Sequence, residues 1–233
     1  MEYLVKKNIA IIPARGGSKR IPGKNILDFN GRPMIAWTID AALKSGIFDK
    51  VLVSTDSEEI AVASRDLGAS VPFLRQGSAD DISASSEATL TSLIQAEKYW
   101  SISFDTVTQL MPNCPLRTVI DINNAFDNFC QNDTNFQISA FRFGWMNPWW
   151  AIRIDKSGAP KPLFEKALET RSQDLDTLYC PTGAIWIANK KSFLSAKTFY
   201  GHGYKLFELP WLSAVDIDDY DDLKMADACF KLR

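Results

Sequence analysis

Short apolar runs alternate with helical patterns through the first half of the chain, and this rhythm constrains the fold more than any other feature. Asn8 to Pro13 reads as a buried strand. Pro33 to Lys44 carries apolar residues at 34, 35, 39 and 42, with Thr38 among them, the spacing of one helical face. Val51 to Thr55 reads as a second strand, and Ser57 as the N-cap of a helix running to about Leu67. Val71 to Leu74 reads as a short strand, Glu87 to Trp100 as a helix and Asp105 to Met111 as a strand stopped by Pro112 and Pro115. Thr118 to Cys130 reads as a further helix. Strand and helix in alternation predict an α/β fold: a mainly parallel sheet with helices on both faces. A chain of 233 residues can bury one full core, and no repeat, linker or low-complexity segment divides it, so one domain over 1–233 is expected.

The second half is less regular. Residues 184–188 and 205–209 read as strands, and Asp219 to Leu232 as the last helix. Between them, Phe141, Phe143, Trp145, Trp149 and Trp150 fall within ten residues, with Asn147-Pro148 as a turn signal. Two readings fit: a hairpin of the core, or an arm within about 140–165 that buries its aromatics against a second subunit.

Composition removes several functional classes. Lysine and arginine number 26 against 28 acidic residues, a net charge of -2, so the broad positive field needed for a nucleic-acid backbone is missing. No apolar stretch approaches the roughly 18 residues of a membrane helix, and Met1 to Lys7 with the short run after it does not read as a secretory signal. Cys114, Cys130, Cys180 and Cys229 lie far apart with no CxxC, which suits reduced thiols and a cytoplasmic protein. The one histidine, His202, sits between glycines and reads as a loop residue; with one histidine, a multi-His metal site is excluded.

Chemistry concentrates in two segments. Ala14 to Asn25 follows the first strand and holds Arg15, Lys19, Arg20 and Lys24, with no acid between Asn8 and Leu27. Gly16, Gly17 and Ser18 let backbone N–H groups converge on an anion, and the cations add charge-assisted bonds to phosphate oxygens. The spacing is neither that of a Walker A loop nor the GxGxxG of dinucleotide sites. The second segment is Val215 to Asp222. If it ends a strand, Asp216 and Asp218 point to one face and suit Mg²⁺, which takes one or two carboxylates plus water and substrate phosphates. Asp219, Asp221 and Asp222 read better as the cap and first turn of the final helix. Together the two segments point to a nucleoside triphosphate.

Ile9 to Asn25 resembles the signature of the CMP-sialic acid synthetases, the acylneuraminate cytidylyltransferases, a family that includes pseudaminic and legionaminic acid cytidylyltransferases. The likeness continues through Val53-Ser-Thr-Asp56, Pro112 to Arg117, Arg171-Ser-Gln-Asp-Leu175, Pro181 to Ile185 and Asp216-Ile-Asp218. The resemblance implies a Rossmann-like nucleotidyltransferase fold, Mg²⁺ as cofactor, and CTP with a nine-carbon 2-keto acid sugar as substrates. It places Arg15, Lys19 and Lys24 on the triphosphate, Asn25 and Arg75 toward the nucleoside with Ser85 or Ser86 as a looser candidate there, and Met111, Arg171, Gln173 and Trp186 toward the sugar. Lys24, Asp216 and Asp218 are the expected catalytic set. A homodimer is implied, in which the arm completes the partner's site. Where family members often carry Gln, Thr and Ser, this chain has Met111, Asn113 and Cys114; Cys180 and Thr182 replace Arg and Asn. These departures are expected on the sugar side, where a lost polar group alters selection by about 1–3 kcal/mol. A Kdo-type or other sugar nucleotidyltransferase, or an inactive nucleotide-binding relative, are the rival readings.

Overall fold

A computed structural model describes residues 6–75 and 85–232; Asp80 and Asp81, whose register against the nucleoside end is open in the sequence, lie outside them. In chain order, β1 (Asn8–Pro13) is followed by a small hairpin, β2 (Asp28–Phe29) and β3 (Arg32–Pro33), and by α1 (Met34–Ser45). Then come β4 (Lys50–Ser54), α2 (Glu58–Asp66), α3 (Ser85–Trp100), β5 (Thr106–Gln109), α4 (Val119–Gln131) and β6 (Phe136–Arg142). A second hairpin, β7 (Ile152–Ile154) and β8 (Pro160–Pro162), and the short α5 (Glu165–Leu168) precede β9 (Tyr179–Asn189), α6 (Lys190–Ala196), β10 (Lys205–Glu208) and α7 (Tyr220–Phe230).

Six strands form one sheet in the order β10-β6-β9-β5-β1-β4. β1 runs parallel to β4 and β5, and β10 runs parallel to β6. β9 is antiparallel to both of its neighbours, so its first residues lie beside the carboxyl ends of β5 and β6. Alternation along β1 builds a core on each face. Ala10 and Ile12 pack with Ile35 and Ile39 of α1, Ile60 of α2 and Ile122 of α4; Ile9 and Ile11 pack with Leu93 of α3 and Phe193 of α6. Each fully buried isoleucine contributes roughly 1.5–3 kcal/mol. Caps set the helix starts: Ser57 accepts from the N–H of Ile60, Thr118 and Asp121 form a capping box, and so do Asp219 and Asp222.

Two expectations change. Val71 to Leu74 forms no strand; only Ser70 bridges to β4, because Pro72 has no N–H to donate and the chain leaves the sheet there. Val215 to Asp218 is not a strand end but an extended link between the short 3-10 turn Trp211–Ala214 and the Asp219 cap. The aromatic stretch divides: Phe141 lies in β6, pairs with β9 and packs against the core, while the segment from Gly144 lies outside the sheet. β7 and β8 pair only with each other, and Trp145, Ile152, Ile154 and Phe164 are exposed. Among the described residues no helix is long and apolar enough to cross a membrane.

Candidate active site

The cationic loop starts where β1 leaves the sheet. The N–H of Ala14 still donates to Ser54 O (2.9 Å), the last rung toward β4, and the loop then turns over the strand ends. The N–H of Gly16 donates to Asp56 Oδ1 at 2.8 Å, and a Cβ at Gly16 would stand 3.0 Å from Ser57 Cβ, so only glycine allows this approach without a shift. Asn25 is buried and donates from Nδ2 to Arg15 O at 2.9 Å, tying the far end of the loop to its start. Asn25 therefore shapes the loop rather than facing solvent. Gly17 and Lys19 are exposed at the rim, with Ser18 and Arg15 partly covered.

Beneath the loop lies a polar layer. Arg75 is buried, and its Nη1 donates to Ser54 O (3.2 Å) and Ser54 Oγ (3.1 Å). Desolvation pulls its pKa below the usual guanidinium value, with Asp56 opposing and the nearby Arg15 adding to the fall. Arg75 Nε is buried without a hydrogen-bond partner. Ser85, at the start of α3, accepts from Gln109 Nε2 (3.2 Å), so it sits at the end of β5 as part of the same layer. Arg117, by contrast, is fully buried, and desolvation pushes it down to about 10. It donates to Ala184 O and to the hydroxyl of Thr38, which makes it a brace between β9 and α1.

The two chemical segments meet. Lys24 Nζ donates to Ile217 O (2.7 Å) and to Asp218 Oδ1 (3.0 Å), across 194 residues of sequence. Arg20 Nη2 reaches Asp218 Oδ2 at 2.7 Å. Desolvation pushes the Asp218 carboxyl up, but Lys24 and Arg20 outweigh it and hold the group below the usual carboxylate value. Asp216 behaves oppositely. Crowding by protein in its recess pushes it up to about 6, and the charge of Asp218 adds to the rise against the pull of Lys24. Part of Asp216 stays open to solvent on the wall of a cavity of about 610 Å³. Phe141, Phe143, Trp145 and Trp211 line its apolar side, and Cys180 and Thr182 lie near its polar end.

Sugar-side expectations are only partly gathered by one chain. Met111 lies at the end of β5, its Cγ where a Cβ on Gly183 would come within 2.6 Å, so Gly183 lets β9 pass beneath it. Trp186 donates from Nε1 to Thr182 O (2.7 Å) and packs its ring 5.5 Å from that of Tyr200. Arg171 pairs with Asp174 at 2.7 Å within its own turn, and with Gln173 it is exposed on the segment after α5. No hydrogen bond or ion pair among the described residues links either to the Lys24 cluster. The departures expected together on the sugar side lie close together: Cys114 is within hydrogen-bonding reach of Thr182, and Cys180 and Thr182 line one cavity with Asp216. Cys114 is enclosed in the core, Thr182 is buried with its hydroxyl donating to Ala214 O (3.1 Å), and Asn113 faces the Asp216–Asp218 segment. Three contributors were not assigned from the sequence: Arg20, Asp56 and Asn113. Arg20 carried a signal, being one of the four loop cations; Asp56 stood in a segment of the family likeness and Asn113 among the departures, but neither was given a role there.

Comparisons with known proteins agree with this geometry. A protein-family model described as Cytidylyltransferase matches residues 9–144. A pseudaminic acid cytidylyltransferase of Campylobacter jejuni is 36% identical over 97% of both chains. A CMP-N,N'-diacetyllegionaminic acid synthase of Legionella pneumophila is 33% identical over 96% of both. In fold, the chain resembles a CMP:2-keto-3-deoxy-manno-octonic acid synthetase solved with CTP, at a TM-score of 0.69 and 16% identity over 97% of this chain and 99% of that one. A mainly parallel α/β sheet with a cationic loop at its carboxyl edge, matched by these relatives over almost its whole length, belongs to a nucleotidyltransferase of the cytidylyltransferase family.

Proposed function

We propose that the protein transfers the cytidylyl group of CTP to a nonulosonic acid, giving the CMP-sugar and pyrophosphate. The observation that carries this reading is the meeting of Lys24 and Arg20 with Asp218 beside Asp216, which puts cations for a triphosphate and carboxylates for a divalent cation in one place. Relatives named for pseudaminic and legionaminic acids support the acceptor class.

The donor set fits a hard cation. Two carboxylates lie two residues apart, an all-oxygen set of the kind Mg²⁺ takes, and Asp216 carries no ion pair of its own among the described residues. Asp216 and Asp218 would hold Mg²⁺, which when bound neutralises phosphate charge. The remaining work falls to the chain itself. Gly16, Gly17 and Ser18 offer N–H groups to the phosphates, and Arg15 and Lys19 flank them. Lys24, side chain 14% exposed, is held close to where charge builds on the pyrophosphate leaving group. Arg75 and Ser85 stand under the nucleoside end, and the acceptor sugar approaches from the Asp216 side, past Met111 and Trp186. The apolar arm is read as a homodimer contact that brings Arg171 and Gln173 of one chain to the sugar of the other. No membrane or nucleic acid takes part, and the cysteine pattern suits a cytoplasmic enzyme.

Pyrophosphate release from CTP, UTP and GTP, each with pseudaminic, legionaminic, N-acetylneuraminic and 2-keto-3-deoxy-manno-octonic acids, tests the reading. Turnover is expected with CTP and at least one of the first three sugars, and to depend on Mg²⁺. Preference for another nucleotide, or for the eight-carbon acid, would overturn it.

A further inference from the structure

Asn113 lies between β5 and α4, remote in sequence from both the cationic loop and the aspartate pair, and is 4% exposed. It grips the aspartate segment twice. Its main-chain carbonyl accepts the N–H of Ile217 at 2.9 Å. Its side-chain Nδ2 faces three oxygens: Asp216 Oδ1, Ile217 O at 3.1 Å and Asp218 Oδ1 at 3.4 Å. All three are acceptors once the carboxyls are ionised, so the amide must present its nitrogen to them. Lys24 and Arg20 reach Asp218; Asn113 reaches both carboxylates.

Two features separate this residue from simple filling. Its Oδ1 is buried without a hydrogen-bond partner, a state that costs about 1–3 kcal/mol and that an apolar side chain of like size would avoid. It is also neutral. The ion pairs of Asp218 with Lys24 and Arg20 must rearrange when a divalent cation and a triphosphate arrive, because like charges cannot crowd the same oxygens. A neutral donor can hold its place through that exchange.

We propose that Asn113 is the positioning residue of the metal site: it sets the spacing of Asp216 and Asp218 and directs one oxygen of each away from the incoming cation. This rests on the reading of the aspartate pair as metal ligands. Outer groups that orient ligands typically change metal affinity by 10–100-fold.

The test is Mn²⁺ binding to the full-length protein with CTP present, followed by electron paramagnetic resonance, for Asn113→Leu and Asn113→Ala beside Asp218→Ala. Asn113→Leu keeps the branched outline, though larger, and removes the donor; Asn113→Ala removes both, and either variant suffices if the other does not fold by thermal melting. Mn²⁺ affinity is expected to fall about tenfold in both. The half-saturating Mg²⁺ concentration should rise to match in turnover assays, with KM for the sugar unchanged. Wild-type Mn²⁺ affinity in a folded Asn113→Leu would overturn the role of Asn113. Wild-type affinity in Asp218→Ala would instead remove the metal reading beneath it, so the two failures are told apart.

Discussion

The cluster around Lys24 and the arm around β7 and β8 are built in opposite ways. The cluster is joined by long-range bonds: Lys24 to Asp218, Asn113 to Asp216, Asn25 back to Arg15. Lys24, Asn25, Asn113 and Asp218 are buried or partly covered, with Asp216 and Arg20 more open, so the centre of the cluster is set before a ligand arrives. The arm is joined mostly by local bonds, such as Arg171 to Asp174 and Asp155 to Ser157. It leaves Trp145, Ile154 and Leu163 in solvent. One region is complete within a single chain, and the other carries apolar surface that a single chain does not cover. Two aspartates repeat the contrast. Asp216 is pushed up to about 6 by desolvation, whereas Asp155, partly covered at the tip of the β7–β8 hairpin, is drawn down to about 2, first by the hydroxyl of Ser157 and then by the N–H of Ala159 and by Lys161.

The largest effect should come from the preset cluster. Lys24→Ala is expected to lower kcat by roughly 10²–10³-fold, the usual loss of a preset charge-stabilising donor, with an unchanged melting profile. Wild-type turnover would show that the cluster is an ion-pair brace and no more. A smaller effect is expected from the arm. Arg171→Ala should raise KM for the sugar by about 10–100-fold, the worth of a hydrogen bond to a charged group, and leave KM for CTP nearly unchanged. Ile152→Glu with Ile154→Glu should give the same KM signature, and should split the proposed dimer in sedimentation. A wild-type protein that sediments as a monomer at micromolar concentration would break the comparison, since the arm would then have no partner to complete.

The smallest effect is in pH dependence of stability, measured on the metal-free protein. A carboxyl with a raised folded pKa loses stability as pH climbs from the ordinary value near 4 through about 6. Asp216→Asn should therefore raise the melting temperature at pH 8 and lose that advantage below pH 4. Asp155 has the opposite sign: its contribution is present above pH 4 and is lost as pH falls toward about 2. Asp155→Asn should lower the melting temperature slightly at pH 8 and have no effect near pH 1.5. Identical pH profiles for the two variants would show that the two aspartates share one environment after all.

Much of the fold was legible because it is written in local patterns. β1, α1, β4, α2, α3, β5, α4 and α7 all fall within a few residues of their sequence ranges, since apolar period and caps such as Ser57 and Thr118 act locally. Val71 to Leu74 was misread because β-branched and apolar content outweighed the missing donor of Pro72. Lys24, Asp216 and Asp218 were legible as residue types, but Asn113 was not. Asn113 stood out in the sequence only as a departure from the family pattern, and its contact with the aspartates appears only in the fold.

Sequence alone carried the order of strands and helices, the concentration of cations after β1 and the family to which the chain is akin, because these depend on near neighbours and on motifs. Folding decided that β9 would run antiparallel and carry Gly183 past Met111, and that Lys24 would find Asp218. It also decided that Asn113 would clamp both carboxylates and that the arm would stand clear of the core. Contacts between residues 100 or more positions apart follow from strand pairing and packing, and no local pattern encodes them.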